Sequence, residues 1–181
     1  SGDASLSSLD GLEPIYMTSG DDLKILQFNS EPLNAATRTR QGDVYAQNAL
    51  ITTFVNQQAT QQITLKPQDD MHITASISPV SEHQGQSVEL LVVARFQPKD
   101  STQTYWFMRT HDAWQAWDGS WDGLKAVKTL SSLQSLETVD IFTGKPEGLT
   151  GVTTIFTGYR VLSEDNIVYN RPNPLVLTVG E

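Results

Sequence analysis

All four tryptophans of the chain, Trp106, Trp114, Trp117 and Trp121, fall within one short segment that also carries Tyr105 and Phe107. Flat rings gathered this closely suit two tasks: stacking on the face of a sugar ring, or anchoring a protein partner. Trp106, Trp114, Trp117, Trp121 and Tyr105 are therefore the candidate binding residues. The same rings have an ordinary use as well, which is to plug a core and cover one end of it. Residues 104–108 read as a strand, and strand neighbours point to opposite faces. Tyr105 and Phe107 then share a face that Trp106 does not, so at least one ring lies away from the main core.

The other candidate chemistry is weaker. Asp112, Asp118 and Asp122 could offer oxygen ligands to calcium, but the segment lacks the alternating ligands and closing Glu of an EF-hand loop. Turn chemistry explains Asp118-Gly119 and Asp122-Gly123 better. His72, His83 and His111 show no metal-ligand spacing, and each is expected to be a satisfied surface histidine. No Gly-x-Ser-x-Gly elbow fixes a serine nucleophile. The adjacent pairs Asp21-Asp22 and Asp69-Asp70 would diverge on a strand and read as solvated turns. The sequence therefore points to no catalytic residue, no metal and no cofactor.

Charge narrows the partners. Twelve Lys and Arg stand against 21 Asp and Glu, a net charge of −9. That field repels a phosphate backbone, and no basic cluster in the sequence offsets it, so nucleic acid is not an expected partner. Cysteine is absent, which removes disulfides and thiolate chemistry. No apolar run approaches the roughly 18–20 residues of a membrane-spanning helix. The first residues, Ser1-Gly2-Asp3, carry no Met and read as a processed or cut start.

The elements that must position the rings follow from periodicity. In residues 71–78, Met71, Ile73, Ala75 and Ile77 alternate with polar neighbours, the mark of a half-buried strand. Residues 87–96 are apolar on both faces and read as a central strand. Strands are further expected at 104–109, 136–142, 152–161, 167–169 and 175–179, separated by Gly and Pro turns. Before residue 70, the β-branched run Leu50-Ile51-Thr52-Thr53-Phe54-Val55 and Ile63-Thr64-Leu65 favour strands, with residues 57–62 as a hairpin loop. Residues 23–28 look like another strand. Residues 31–42 look like a loop, with Asn34-Ala35-Ala36 as a helical turn. The expected fold class is all-β.

From His72 onward the chain resembles an uncharacterised immunoglobulin-like β-sandwich module of secreted and surface proteins of proteobacteria. The pieces that carry the likeness are Ser78-Pro79, His83-Gln84-Gly85-Gln86-Ser87-Val88, Tyr105-Trp106, Trp114-Gln115-Ala116-Trp117-Asp118-Gly119, Gly148-Leu149-Thr150-Gly151, Phe156-Thr157-Gly158-Tyr159-Arg160 and Ile167-Val168-Tyr169-Asn170. They cover roughly the last three-fifths of the chain. Being turns and core aromatics, they specify fold more than chemistry. The resemblance implies an antiparallel immunoglobulin-like β-sandwich over residues 70–181, outside the cytoplasm, with no established catalytic residues. Residues 1–69 are then an N-terminal β-rich extension or small subdomain.

Within that extension Leu6, Leu9, Leu12 and Ile15 recur every three residues in a polar stretch that cannot form a core alone. Such a segment lies across its own sandwich, or completes a neighbour's sheet by strand addition. The second option makes Leu6, Leu9, Leu12 and Ile15 subunit contacts. The leading expectation is a non-enzymatic subunit of a cell-surface assembly, a fibre or adhesive layer, extracellular, at the cell surface or in the periplasm. Its partners would be copies of itself or other surface proteins. The rival is a glycan- or ligand-binding module, or a sensor domain, that uses the Trp-rich loop.

Overall fold

The computed structural model of the chain describes residues 35–180, and all regular structure there is β apart from one short 3-10 turn. Fourteen strands follow in order: β1 (Ala35–Thr39), β2 (Val44–Gln47), β3 (Leu50–Val55), β4 (Gln58–Ala59), β5 (Gln62–Leu65), β6 (Met71–Ser78), β7 (Val88–Pro98), β8 (Tyr105–Arg109), β9 (Trp114–Ala116), β10 (Lys128–Leu130), β11 (Glu137–Gly144), β12 (Gly151–Val161), β13 (Asn166–Tyr169) and β14 (Leu175–Val179). The 3-10 turn is Ser81–His83.

Two sheets form a β-sandwich. The smaller runs β11-β6-β3-β4, and the larger has the path β2-β1-β13-β12-β7-β8-β9, with β10, β14 and β5 attached. Its axis is the antiparallel pair β7–β12, matched residue for residue from Gly151↔Pro98 to Val161↔Val88. Each of these long strands is flanked on its outer side by two short ones. β12 meets β14 over its first half and β13 over its second. β7 meets β10 and β8 in the same way. All pairings are antiparallel except β5–β14.

The core follows from period-two alternation. Ile73, Ala75 and Ile77 of β6 meet Val88, Leu90, Val92 and Ala94 of β7 and Ile155, Tyr159 and Val161 of β12 in one buried cluster. Fully burying each large aliphatic side chain contributes about 1.5–3 kcal/mol, so this inner face supplies most of the driving force. β7 is apolar on its other face too, because Leu91 and Val93 join Met108, Leu124 and Trp117 in a second, smaller cluster outside the sandwich. The central position expected for residues 87–96 is thus occupied by β7, which carries strands on both edges.

Two expectations need correction. Residues 35–39, placed in a loop with a helical turn, form β1, which pairs with both β2 and β13. The alanines are small enough for a buried strand lying close against its neighbours, and Ala35 and Ala36 are both buried. The expected hairpin loop at residues 57–62 is tighter than read. Asn56 and Gln57 both take positive φ (50° and 72°) and reverse the chain directly into β4. The boundary drawn at residue 69/70 falls between β5 and β6, and strands from both sides of it take part in both sheets. Leu6, Leu9, Leu12, Ile15 and the residues 23–28 expected to form a strand lie outside the described residues.

Candidate functional site

On the outer face of the large sheet lies an open hollow of about 660 Å³. Its floor is built from alternate residues of the paired strands. Thr154, Phe156 and Gly158 of β12 stand beside Arg95, Val93 and Leu91 of β7. Trp106 of β8 lies opposite Arg95, and Tyr169 of β13 lies opposite Gly158. All of these positions have the parity opposite to the core residues Ile155, Tyr159, Val92 and Ala94, which is why they face outward.

The rings form a row. Trp117 and Trp106 meet edge to face with centroids 5.8 Å apart. Trp106 stacks on Phe156 at 6.2 Å and 23°, and Phe156 meets Tyr169 at 6.1 Å. Gly158 sets the end of this row. A Cβ there would lie 2.0 Å from the Val168 carbonyl oxygen and 2.6 Å from Tyr169 Cβ, so only glycine lets β13 bring Tyr169 against Phe156.

One side of the hollow is closed by the loop that follows β9. Asp118 holds its first turn, accepting from the Ser120 amide at 2.9 Å and hydroxyl at 2.7 Å. These donors stabilise the ionised form, with the hydroxyl the larger influence, and lower the Asp118 carboxyl below its ordinary range. The Trp117 indole N–H donates to the Ser120 carbonyl at 2.9 Å.

Trp121 has two guanidinium groups near its ring, Arg40 and Arg160, at 5.6 and 5.8 Å from the ring centre. Its indole N–H donates to Asp165 Oδ1 at 2.9 Å. Arg40, from the β1–β2 turn, pairs with Asp165 at 2.6 Å and with Asp122 at 2.9 Å. The Trp121 N–H first, and Arg40 second, hold the Asp165 carboxyl below the usual carboxylate range. The same carboxylates push Arg40 further up.

Of the five candidate binding residues, the structure brings Trp106, Trp117 and Trp121 together at the hollow. Trp114 stands on the other face and packs against the main core. Tyr105 is exposed, its hydroxyl donating to Gln103 Oε1 at 2.8 Å. Trp121 helps wall the site, with two arginines within about 6 Å of its ring centre. Trp106 is the tryptophan whose own strand places it in the ring row.

The sequence reading missed Phe156, Tyr169, Arg38, Arg95 and Arg171. The available signal was parity: Arg95 alternates with Val92 and Ala94, and Phe156 with Ile155. Without the β7–β12 register nothing says that these outward positions share one surface.

His83, expected on the surface, is buried at 7 % exposure. Its Nδ1 lies 2.8 Å from the Tyr159 hydroxyl, which also accepts the Val80 amide at 3.2 Å. Its Nε2 lies 3.5 Å from a Glu164 oxygen. The 3-10 turn folds the ring inward, and a buried phenol needs that partner. Burial pushes the Tyr159 hydroxyl up to about 12, with the nearby Glu164 charge adding to the rise.

Among the described residues no three His, Cys, Asp or Glu side chains converge in a way that could hold a metal ion. Asp122 is engaged by Arg40 and Asp118 by Ser120, which are turn and latch roles. No helix among these residues is long and apolar enough to cross a membrane.

A comparison with protein-family models matches none of them, and a comparison with curated proteins finds no match. The functional reading therefore stands on geometry.

Proposed function

We propose that this chain is a non-enzymatic, extracytoplasmic binding module that takes a ligand in the hollow on the outer face of its large sheet. One observation carries the reading: Trp106, Phe156 and Tyr169, from three different strands, form a row of neighbouring rings along an open cavity of about 660 Å³. That volume lies in the range of small-molecule and saccharide sites, which combine apolar walls with a few placed polar groups. Partly exposed aromatic rings such as these suit the flat apolar side of a pyranose. The ligand class in this reading is a glycan.

The test is calorimetric titration of the chain with a panel of oligosaccharides, alongside tryptophan fluorescence. Binding by at least one member, weakened roughly tenfold in Trp106→Ala, is expected from the ring contact. A flat response across a broad panel removes the proposal.

A second reading is a subunit of a surface assembly, fibre or adhesive layer. Its support is β2, an edge strand of the large sheet whose Val44 and Tyr45 side chains are exposed at 42 % and 49 %. An edge of this kind offers unpaired backbone groups to an added strand. In that reading Leu6, Leu9, Leu12 and Ile15 supply the added segment. Deleting residues 1–20 abolishes multimers seen by light scattering; unchanged multimers exclude it.

A further inference from the structure

The hollow has a charge character opposite to that of the whole chain. Arg38, Arg40, Arg95 and Arg171 line it, and among the described residues no carboxylate does. The chain as a whole has 21 acidic against 12 basic residues. Arg40 is spent on Asp122 and Asp165. Arg38, Arg95 and Arg171 are exposed and have no ion pair or side-chain hydrogen bond among the described residues. The polar contact of Arg95 is with the ring face of Trp106, 5.7 Å from its centre.

Three exposed guanidiniums without an ion pair among the described residues make this surface locally positive. An anion that enters there is drawn by that local field. Guanidinium forks also match the planar oxygens of a carboxylate, and those of a sulfate, with two parallel hydrogen bonds.

Their spacing says what kind of anion. Arg95 stands in register with Thr154, whereas Arg38 stands opposite Ile167, which pairs with Arg160. The two rows are six residues apart along β12, roughly 20 Å at the rise of a strand. Arg171 lies two residues beyond Tyr169, whose partner on β12, Gly158, falls between the two rows. A single small anion cannot reach both ends, but a chain of charged rings can. The aromatic row lies along the same surface.

Building on the binding reading above, we infer that the ligand is an acidic polysaccharide, a string of sugar rings bearing carboxylate or sulfate groups. The sugar faces lie on the Trp106–Phe156–Tyr169 row, and the anionic substituents reach Arg95, Arg171 and Arg38. Exposure of these three side chains keeps them out of the folding core, so removing their charge leaves the fold intact.

The test uses the full chain with three probes of matched length: an oligogalacturonate, a sulfated dextran oligomer and a neutral dextran oligomer. Each is titrated in 20 mM and in 300 mM NaCl. At least one charged probe is expected to bind tenfold or more tightly than the neutral one. Raising the salt weakens it, because exposed charges are screened within a few ångströms at that strength. Arg95→Gln and Arg171→Gln each lower the affinity three- to tenfold, and Arg38→Gln does so only for the longer oligomers. The charged probe that binds more tightly identifies the substituent.

Equal binding of the neutral oligomer, or affinities unmoved by salt and by all three variants, overturns the anionic assignment while the binding function stands. If none of the three oligomers binds, the anionic assignment falls, and the broader panel above decides the binding function. A synthetic peptide of residues 1–32, or poly-glutamate, binding more tightly than any saccharide overturns the polysaccharide assignment.

Discussion

Arg160 and Glu89 stand opposite one another near one end of the β7–β12 pair. Two guanidinium nitrogens of Arg160, Nε and one Nη, approach a single Glu89 carboxylate oxygen at 2.8 Å. The remaining reach of the guanidinium goes to the loop, with donation to the Trp121 carbonyl at 3.2 Å and the Leu124 carbonyl at 3.0 Å. One buried arginine thus ties β12 to β7 and pins the wall of the hollow to its floor. Arg160→Met leaves Glu89 unpaired and both carbonyls without their donor. A loss of about 3 kcal/mol is expected in urea denaturation, the low end for a buried pair stripped of one partner because Glu89 is partly exposed. Arg160→Lys recovers only part of it, since an ammonium cannot span three acceptors in one plane.

The phenol of Tyr159 gives a prediction for alkaline pH. Its folded-state value, about 12, lies above its unfolded value of 10.0. Between those limits the folded chain holds more protons than the unfolded one, so this group's contribution is complete below pH 10 and is lost as pH rises through 12. The loss amounts to about 2–3 kcal/mol. Tyr159→Phe removes that slope in denaturation curves from pH 9 to 12. At neutral pH it costs about 1–3 kcal/mol, because the Val80 amide and His83 Nδ1 lose their partner.

Acid acts on the latch instead. The Asp165 carboxyl is held below its ordinary value of 3.8 by the Trp121 N–H and Arg40. Its support is therefore present above pH 4 and is lost as pH falls through the lowered folded value. Trp121 emission should shift to the red on acidification below pH 4, before global unfolding. Asp165→Asn should show the shifted spectrum already at pH 7.

The tight reversal between β3 and β4 carries strain that a single change relieves. Gln57 holds a φ of 72°, where a side chain is crowded and glycine is not. Gln57→Gly should raise stability by about 0.5–1 kcal/mol, read as a higher midpoint in thermal melts.

The long strands could be read from the chain alone because their burial demands a period of two. β6, β7, β12 and β14 each carry enough apolar residues to announce a face. β9 and β10, three residues each, carry too little pattern and are defined by the neighbours they pair with. β1 was hidden for a related reason: alanine is not a strand-favouring residue, and β1 is placed by its pairing with β13 and β2 rather than by its own pattern. The tryptophans gave part of the site, since ring type alone marks Trp106. The arginines did not, because Arg38, Arg95 and Arg171 are far apart in sequence and become one surface only through the register.

The β7–β12 axis keeps two kinds of change apart. Ile155 and Phe156 are joined by one peptide bond, yet one seals the sandwich and the other lines the hollow. Under the proposed binding role, a lineage of this protein can therefore exchange what it recognises by altering every second position, while the intervening residues go on holding the sheets together.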